Sequence, residues 1–134
     1  MAITVVWDDD AHTIIRMSSQ EIWTLEEFRA ASHQAIAMVR IVPHKVYVIS
    51  DIMVTLNPPS GILWELRDLN QRRPGNWGGG IAIAHDSFVG SLVATFSQIY
   101  MERNMQRVFV VKTEDEAYKI IDRLKNEDQA LCVD

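Results

Sequence analysis

The sequence predicts an α/β domain, and three observations predict it. A β-branched hairpin opens the chain, stretches of helical and strand periodicity alternate after it, and the helix starts carry capping residues. The expected architecture is a single domain with a mostly parallel sheet of about five strands, one edge antiparallel, and about four helices. Its core runs from about residue 3 to 126, with 127–134 as a C-terminal tail.

Ile3 to Trp7 and Thr13 to Met17 are short β-branched runs joined by Asp8-Asp9-Asp10-Ala11-His12, an acidic hairpin turn. Three aspartates in a row do not make a cation site without further oxygen ligands converging on them, so the turn reads as solvated. Thr24 is the N-cap of the first helix, Glu27 closes a capping box, and Trp23 against Phe28 forms the hydrophobic staple. Leu25, Phe28, Ala35, Ile36 and Val39 keep helical spacing until Pro43 ends the element, with His33 on its surface.

Val46 to Ile49 reads as a strand buried on both faces. Asn57 caps the next helix with Pro58 at its first position, and Ile62, Leu66 and Leu69 form its inward stripe up to Pro74-Gly75. A glycine-rich loop, Gly75 to Gly80, leads into a strand at Gly80 to Ala84, after which Asp86 or Ser87 caps a third helix bearing Phe88, Leu92, Phe96 and Ile99. Val108 to Val111 is the last strand. Thr113-Glu114-Asp115-Glu116 is a second capping box, opening a helix with Ala117, Ile120, Ile121 and Leu124 inside.

Bulk composition narrows the function classes. At 134 residues and 48% hydrophobic the chain suits one compact core, and a net charge of -5 argues against a generic nucleic-acid or anionic-membrane surface. The one cysteine, Cys132, has no internal disulfide partner, which fits a reducing compartment. The start, MAITVVWDDD, lacks a basic region and turns acidic, so no signal peptide is expected and the location is read as cytoplasmic. No apolar run reaches the roughly 20 residues that span a bilayer. His12, His33, His44 and His85 are too scattered for a zinc motif, and neither a metal nor another cofactor is expected.

Ligands of open α/β sheets gather outside the carboxyl ends of the parallel strands, which here selects Ser50-Asp51, His85-Asp86-Ser87 and Lys112-Thr113, with Ser60 reached through the loop after Asp51. Asn57, Ser60 and Gly61 stand at a helix start, where unpaired backbone N–H groups and the macrodipole favour an anion. A hydrolase built from Ser60 or Ser87 with His85 and Asp51 or Asp86 ranks third, because no G-x-S-x-G occurs. Trp77 stands in the glycine-rich loop, a mobile rim, either as a recognition anchor or folded back onto the sheet. Arg72 and Arg73 close by read either as positive charge presented to a partner or as a solvated helix end stabilised by cations.

The order of elements and the stretch VYVISDIMVTLNPPSGILWEL resemble the STAS domain family, in its SpoIIAA-like and SEC14-like branch, over nearly the whole chain. In the anti-sigma-factor antagonists of that family the corresponding turn carries Asp-Ser-Ser-Gly, and its second serine is phosphorylated by a partner kinase. Aligning the shared Ser-Gly places that position at Ser60-Gly61, and Asp51 is similar to the family's acidic residue at the strand end. Pro58 and Pro59 stand where the motif has Asp and Ser, which leaves Ser60 either as a phosphoacceptor or as a structural helix-start serine.

The resemblance implies a non-enzymatic regulatory or adaptor module that binds a protein partner, such as a kinase or an anti-sigma-like factor. The partner face expected is the Ser60 turn, its helix and the Trp77 loop. The alternative is a small-molecule or lipid-binding module with Phe88 to Met101 as the cleft wall. A homodimer through Phe96, Tyr100, Met101 and Met105 is a further expectation.

Overall fold

The computed structural model describes residues 3–19, 23–51, 68, 72–83 and 107–132. These form β1 (Ile3–Trp7), β2 (Ile14–Ser19), α1 (Leu25–Arg40), β3 (Val46–Asp51), β4 (Trp77–Ile83), β5 (Val108–Val111) and α2 (Glu114–Cys132). The fold is α/β with a mixed sheet, in the sequential order β1-β2-β3-β4-β5. β1 pairs antiparallel with β2, and β2, β3, β4 and β5 run parallel to one another. Two helices appear among the described residues; those expected from Asn57 and from Asp86 fall outside them, apart from Asp68 and Arg72, which are helical and pair at 3.2 Å.

Alternation along the strands assigns each helix to its own face. Ile3, Val5, Ile15, Met17 and Val46 point to one side and pack under Phe28, Ala31, Ala35 and Val39 of α1. Ile14, Tyr47, Ile49, Ile81, Ile83 and Val111 point to the other and pack under Ala117, Ile121 and Leu124 of α2. The sheet is therefore a shared middle layer between two helical ones.

Both capping boxes form, with one difference. Thr24 Oγ1 accepts from Glu27 N at 3.1 Å while Glu27 Oε1 accepts from Thr24 N at 3.0 Å, and the Trp23 and Phe28 rings stack at 5.2 Å. At α2, Thr113 Oγ1 accepts from Glu116 N at 3.2 Å, but Glu116 Oε2 reaches one residue further back, to Lys112 N at 3.0 Å. The acidic hairpin turn is self-capped: Asp9 accepts from Thr13 N at 2.8 Å, Ile14 N at 3.0 Å and the Thr13 hydroxyl, and His12 takes φ 57°. Burial opposes ionisation of Asp9, but those hydrogen bonds and nearby Lys125 outweigh it and hold its pKa below the usual value.

Two expected boundaries are corrected. The glycine run is not a mobile loop, because β4 begins at Trp77 and Gly78, Gly79 and Gly80 lie inside the strand. A Cβ on Gly78 would sit 2.5 Å from the Tyr47 ring, and one on Gly79 would sit 2.8 Å from Leu124 Cδ1. The glycines let side chains from β3 and α2 lie flat on the backbone, at a register irregularity opposite Val46 and Tyr47. Residues 127–132, expected as part of a C-terminal tail, belong to α2, which continues to Cys132, and Asp128 is buried at 8% exposure.

Candidate functional site

The carboxyl end of β3 is built around Arg16, whose side chain lies on the α2 side of the sheet. Its Nη2 meets Asp51 Oδ2 at 3.0 Å and its Nη1 bonds Glu114 at the start of α2. The same Nη1 reaches Tyr118 Oη at 3.4 Å, and the Tyr118 hydroxyl donates to Asp8 Oδ2 at 2.6 Å. Burial works against the charge on Arg16, but Glu114, Tyr118 and Asp51 outweigh it and raise its pKa. Burial, with Asp8 as acceptor, pushes the Tyr118 hydroxyl up to about 12. Asp51 thus leaves the strand as a neutralised, fixed anchor for the chain that follows.

Trp77 occupies the other end of the sheet. It pairs with Val46, the first residue of β3, whereas Asp51 is the last, so about five residues of strand, roughly 16 Å, separate the two levels. The Ser60 turn and most of its helix, expected to share a partner face with Trp77, lie outside the described residues. Trp77 is half-buried with its ring edge against Gly80, and the Arg73 guanidinium lies 4.6 Å above its ring. Of the two readings of this tryptophan, the one folded onto the sheet is seen.

Asn76, read in the sequence only as part of a loop, ties this end together. Its Nδ2 lies 2.7 Å from the carbonyl of Val39, in the last turn of α1, and 3.0 and 2.9 Å from those of Val42 and His44 in the connection that follows, so its two protons tie the end of α1 to the approach to β3. Its own carbonyl accepts from Val46 N at 2.9 Å.

A second cluster escaped sequence reading altogether. The Tyr47 hydroxyl donates to Asp128 Oδ2, and Arg107 holds both Asp128 oxygens, at 3.0 and 2.7 Å, while Arg107 Nη1 also donates to Gly78 O at 2.9 Å. Arg107 takes φ 75°, and its carbonyl accepts from Gly80 N at 3.0 Å. Burial tends to raise the Asp128 pKa, but its bonds to Arg107 and Tyr47 lower it overall. Burial and Asp128 together push the Tyr47 hydroxyl above the usual phenol range. The cluster closes α2 onto β3, β4 and the start of β5. The one signal available in sequence was a Tyr in the otherwise apolar strand β3, since Arg107 stands just before β5 and Asp128 is one of many charged residues of α2.

Asn57, Ser60, Gly61, His85, Asp86 and Ser87 lie outside the described residues, as do the Phe88 to Met101 wall and the apolar strip at Phe96, Tyr100, Met101 and Met105. Among the described residues no cluster of His, Cys, Asp and Glu is arranged to hold a metal ion, and no helix is long and apolar enough to cross a membrane. No protein-family model, no curated protein and no solved structure matches this chain.

Proposed function

We propose that the chain is a STAS-like regulatory or adaptor module, acting in the cytoplasm, that meets a protein partner at the turn following Asp51, with Ser60 as the candidate phosphoacceptor. In this reading two more helices, after Asn57 and after Asp86, make four in all, and the partner is a kinase or an anti-sigma-like factor. The observation that carries it is Asp51: it stands at the carboxyl end of a parallel strand, where α/β sheets place their sites, and is pinned there by Arg16. A hairpin-first sheet in sequential order supports the same reading.

Pinning Asp51 fixes where the chain leaves β3, so the turn after it starts from a rigid point. A phosphoryl group on Ser60 adds about two negative charges, which suit a helix start and repel an acidic partner surface. Arg16 already shares its charge between Asp51 and Glu114, so it is committed before the new charge arrives. Switching then needs no catalysis by this chain.

The test places a photo-crosslinker at position 60 and, as a control, at Arg123 on α2, then purifies the protein captured at position 60 alone. Titration calorimetry of that protein against wild type, Ser60→Ala and Ser60→Asp should show wild type and Ser60→Ala alike and Ser60→Asp at least roughly tenfold different. Equal affinity for all three removes the switch, and identical capture from both positions removes the surface.

A further inference from the structure

At the amino end of the parallel strands, away from Asp51, basic side chains from three segments converge. Arg40 ends α1, Lys45 precedes β3, and Arg72 and Arg73 precede β4. Arg40 Nη2 touches the Arg72 carbonyl at 3.4 Å and Lys45 Nζ touches the Gly75 carbonyl at 3.5 Å, so they belong to one surface. His33, Ile36, Ala37, Arg40 and Arg72 line an open depression of about 240 Å³. Drug-sized ligand sites occupy roughly 300–1,000 Å³, so this one has room for a side chain rather than a small molecule.

We propose that this end of the sheet is a docking surface for an acidic, partly apolar peptide segment of a partner protein, with Arg40 and Arg72 receiving its carboxylates and Arg73 adding positive potential beside them. Arg73 supplies the first reason. Its guanidinium is held 4.6 Å over the Trp77 ring and its Nη1 is buried with no hydrogen-bond partner among the described residues, so a cation is fixed beside the patch with no anion paired to that nitrogen. Arg72 supplies the second, because its exposed pair with Asp68 already takes a carboxylate in a contact weak enough to exchange.

The third concerns the end of α1, whose bare carbonyls would oppose an anion. Asn76 Nδ2 lies within hydrogen-bond distance of the carbonyl of Val39 in α1 and of those of Val42 and His44 just beyond it, and its two protons lessen that opposition. Beside them Ile41 is 74% exposed, which offers the apolar contact that a purely ionic site lacks. A net charge of -5 over the whole chain disfavours an extended polyanion such as a membrane or nucleic acid, whereas a short peptide meets the patch alone.

The surface is independent of Ser60, and so is its test. A fluorescein-labelled peptide of repeating Glu-Glu-Leu is titrated with the full chain by fluorescence polarisation, with circular dichroism confirming that each variant folds. Arg40→Glu with Arg72→Glu should weaken binding at least roughly tenfold, Arg40→Gln with Arg72→Gln should fall between, and Lys119→Glu with Arg123→Glu on α2 should change it less than about twofold. Binding should weaken as salt rises toward about 0.15 M. Absence of saturable binding by wild type, or equal weakening by the two charge-reversal pairs, overturns the proposal. So does binding to phosphatidylserine vesicles that needs the same arginines and that the peptide fails to displace.

Discussion

Replacing Asp128 with alanine should cost far more than a typical helix-surface change. The substitution strips Arg107 of two charge-assisted bonds and leaves the hydroxyl of Tyr47, itself 2% exposed, without its acceptor. Breaking a fully buried pair costs about 3–5 kcal/mol. Arg107 keeps Gly78 O and can turn partly to water, so the expected loss is about 2–3 kcal/mol, or roughly 6–15 °C in Tm for a chain of this size. Asp128→Asn retains one acceptor oxygen and should lose about half as much. The carboxyl's folded pKa lies below its unfolded value of about 4, so its stabilisation is complete above about pH 5 and is lost as pH falls through the lowered folded value. The wild-type advantage over Asp128→Asn should therefore hold at pH 7 and shrink below about pH 4. Urea unfolding followed by tryptophan fluorescence at both pH values measures it. A loss under about 0.5 kcal/mol for Asp128→Ala, or no coupling in an Arg107→Ala and Asp128→Ala double-mutant cycle, would refute the reasoning.

Gly78→Ala should destabilise by about 2–3 kcal/mol, because the added Cβ lies 2.5 Å from a Tyr47 ring that Asp128 holds in place, whereas Gly75→Ala, with nothing within 4 Å, should change stability by less than about 0.5 kcal/mol in the same denaturation assay. At high pH the Tyr118 hydroxyl, whose folded pKa of about 12 exceeds its unfolded value of about 10, contributes stability that is complete below pH 10 and is lost as pH rises toward 12. Absorbance titration of wild type against Tyr118→Phe should remove a late-titrating phenol, and a variant that removes one titrating near 10 would contradict the Asp8 contact.

Local chemistry made parts of the fold readable from sequence. Thr24, Glu27, Trp23 and Phe28 satisfy one another within a single turn of chain, so their pattern suffices to place the start of α1. Val46 to Ile49 announces a strand through its own composition, yet the polar use of Tyr47 depends on Arg107 and Asp128, which are distant in sequence. Gly78 and Gly79 look like a flexible loop until the ring and the leucine lying on them are known. Asp51 was picked out by its strand-end position, but Arg16, which fixes it, lies mid-strand and carries no motif. Trp77 reads as part of the loop before β4, whereas it is the first residue of that strand, because the glycines after it mask the strand's start in composition.

The sequential strand order, with α2 the one helix on the second face among the described residues, has a consequence for biosynthesis. α1 can settle onto β1 and β2 as soon as they are made, but Tyr47, Ile49, Ile81 and Ile83 gain their described cover only from the element synthesised after β5. A nascent chain halted after β5 therefore lacks the cover that α2 gives these residues, and exposed apolar sheet is the kind of surface that holdase chaperones grip. Translation speed through residues 108–132 becomes a determinant of yield in the cell.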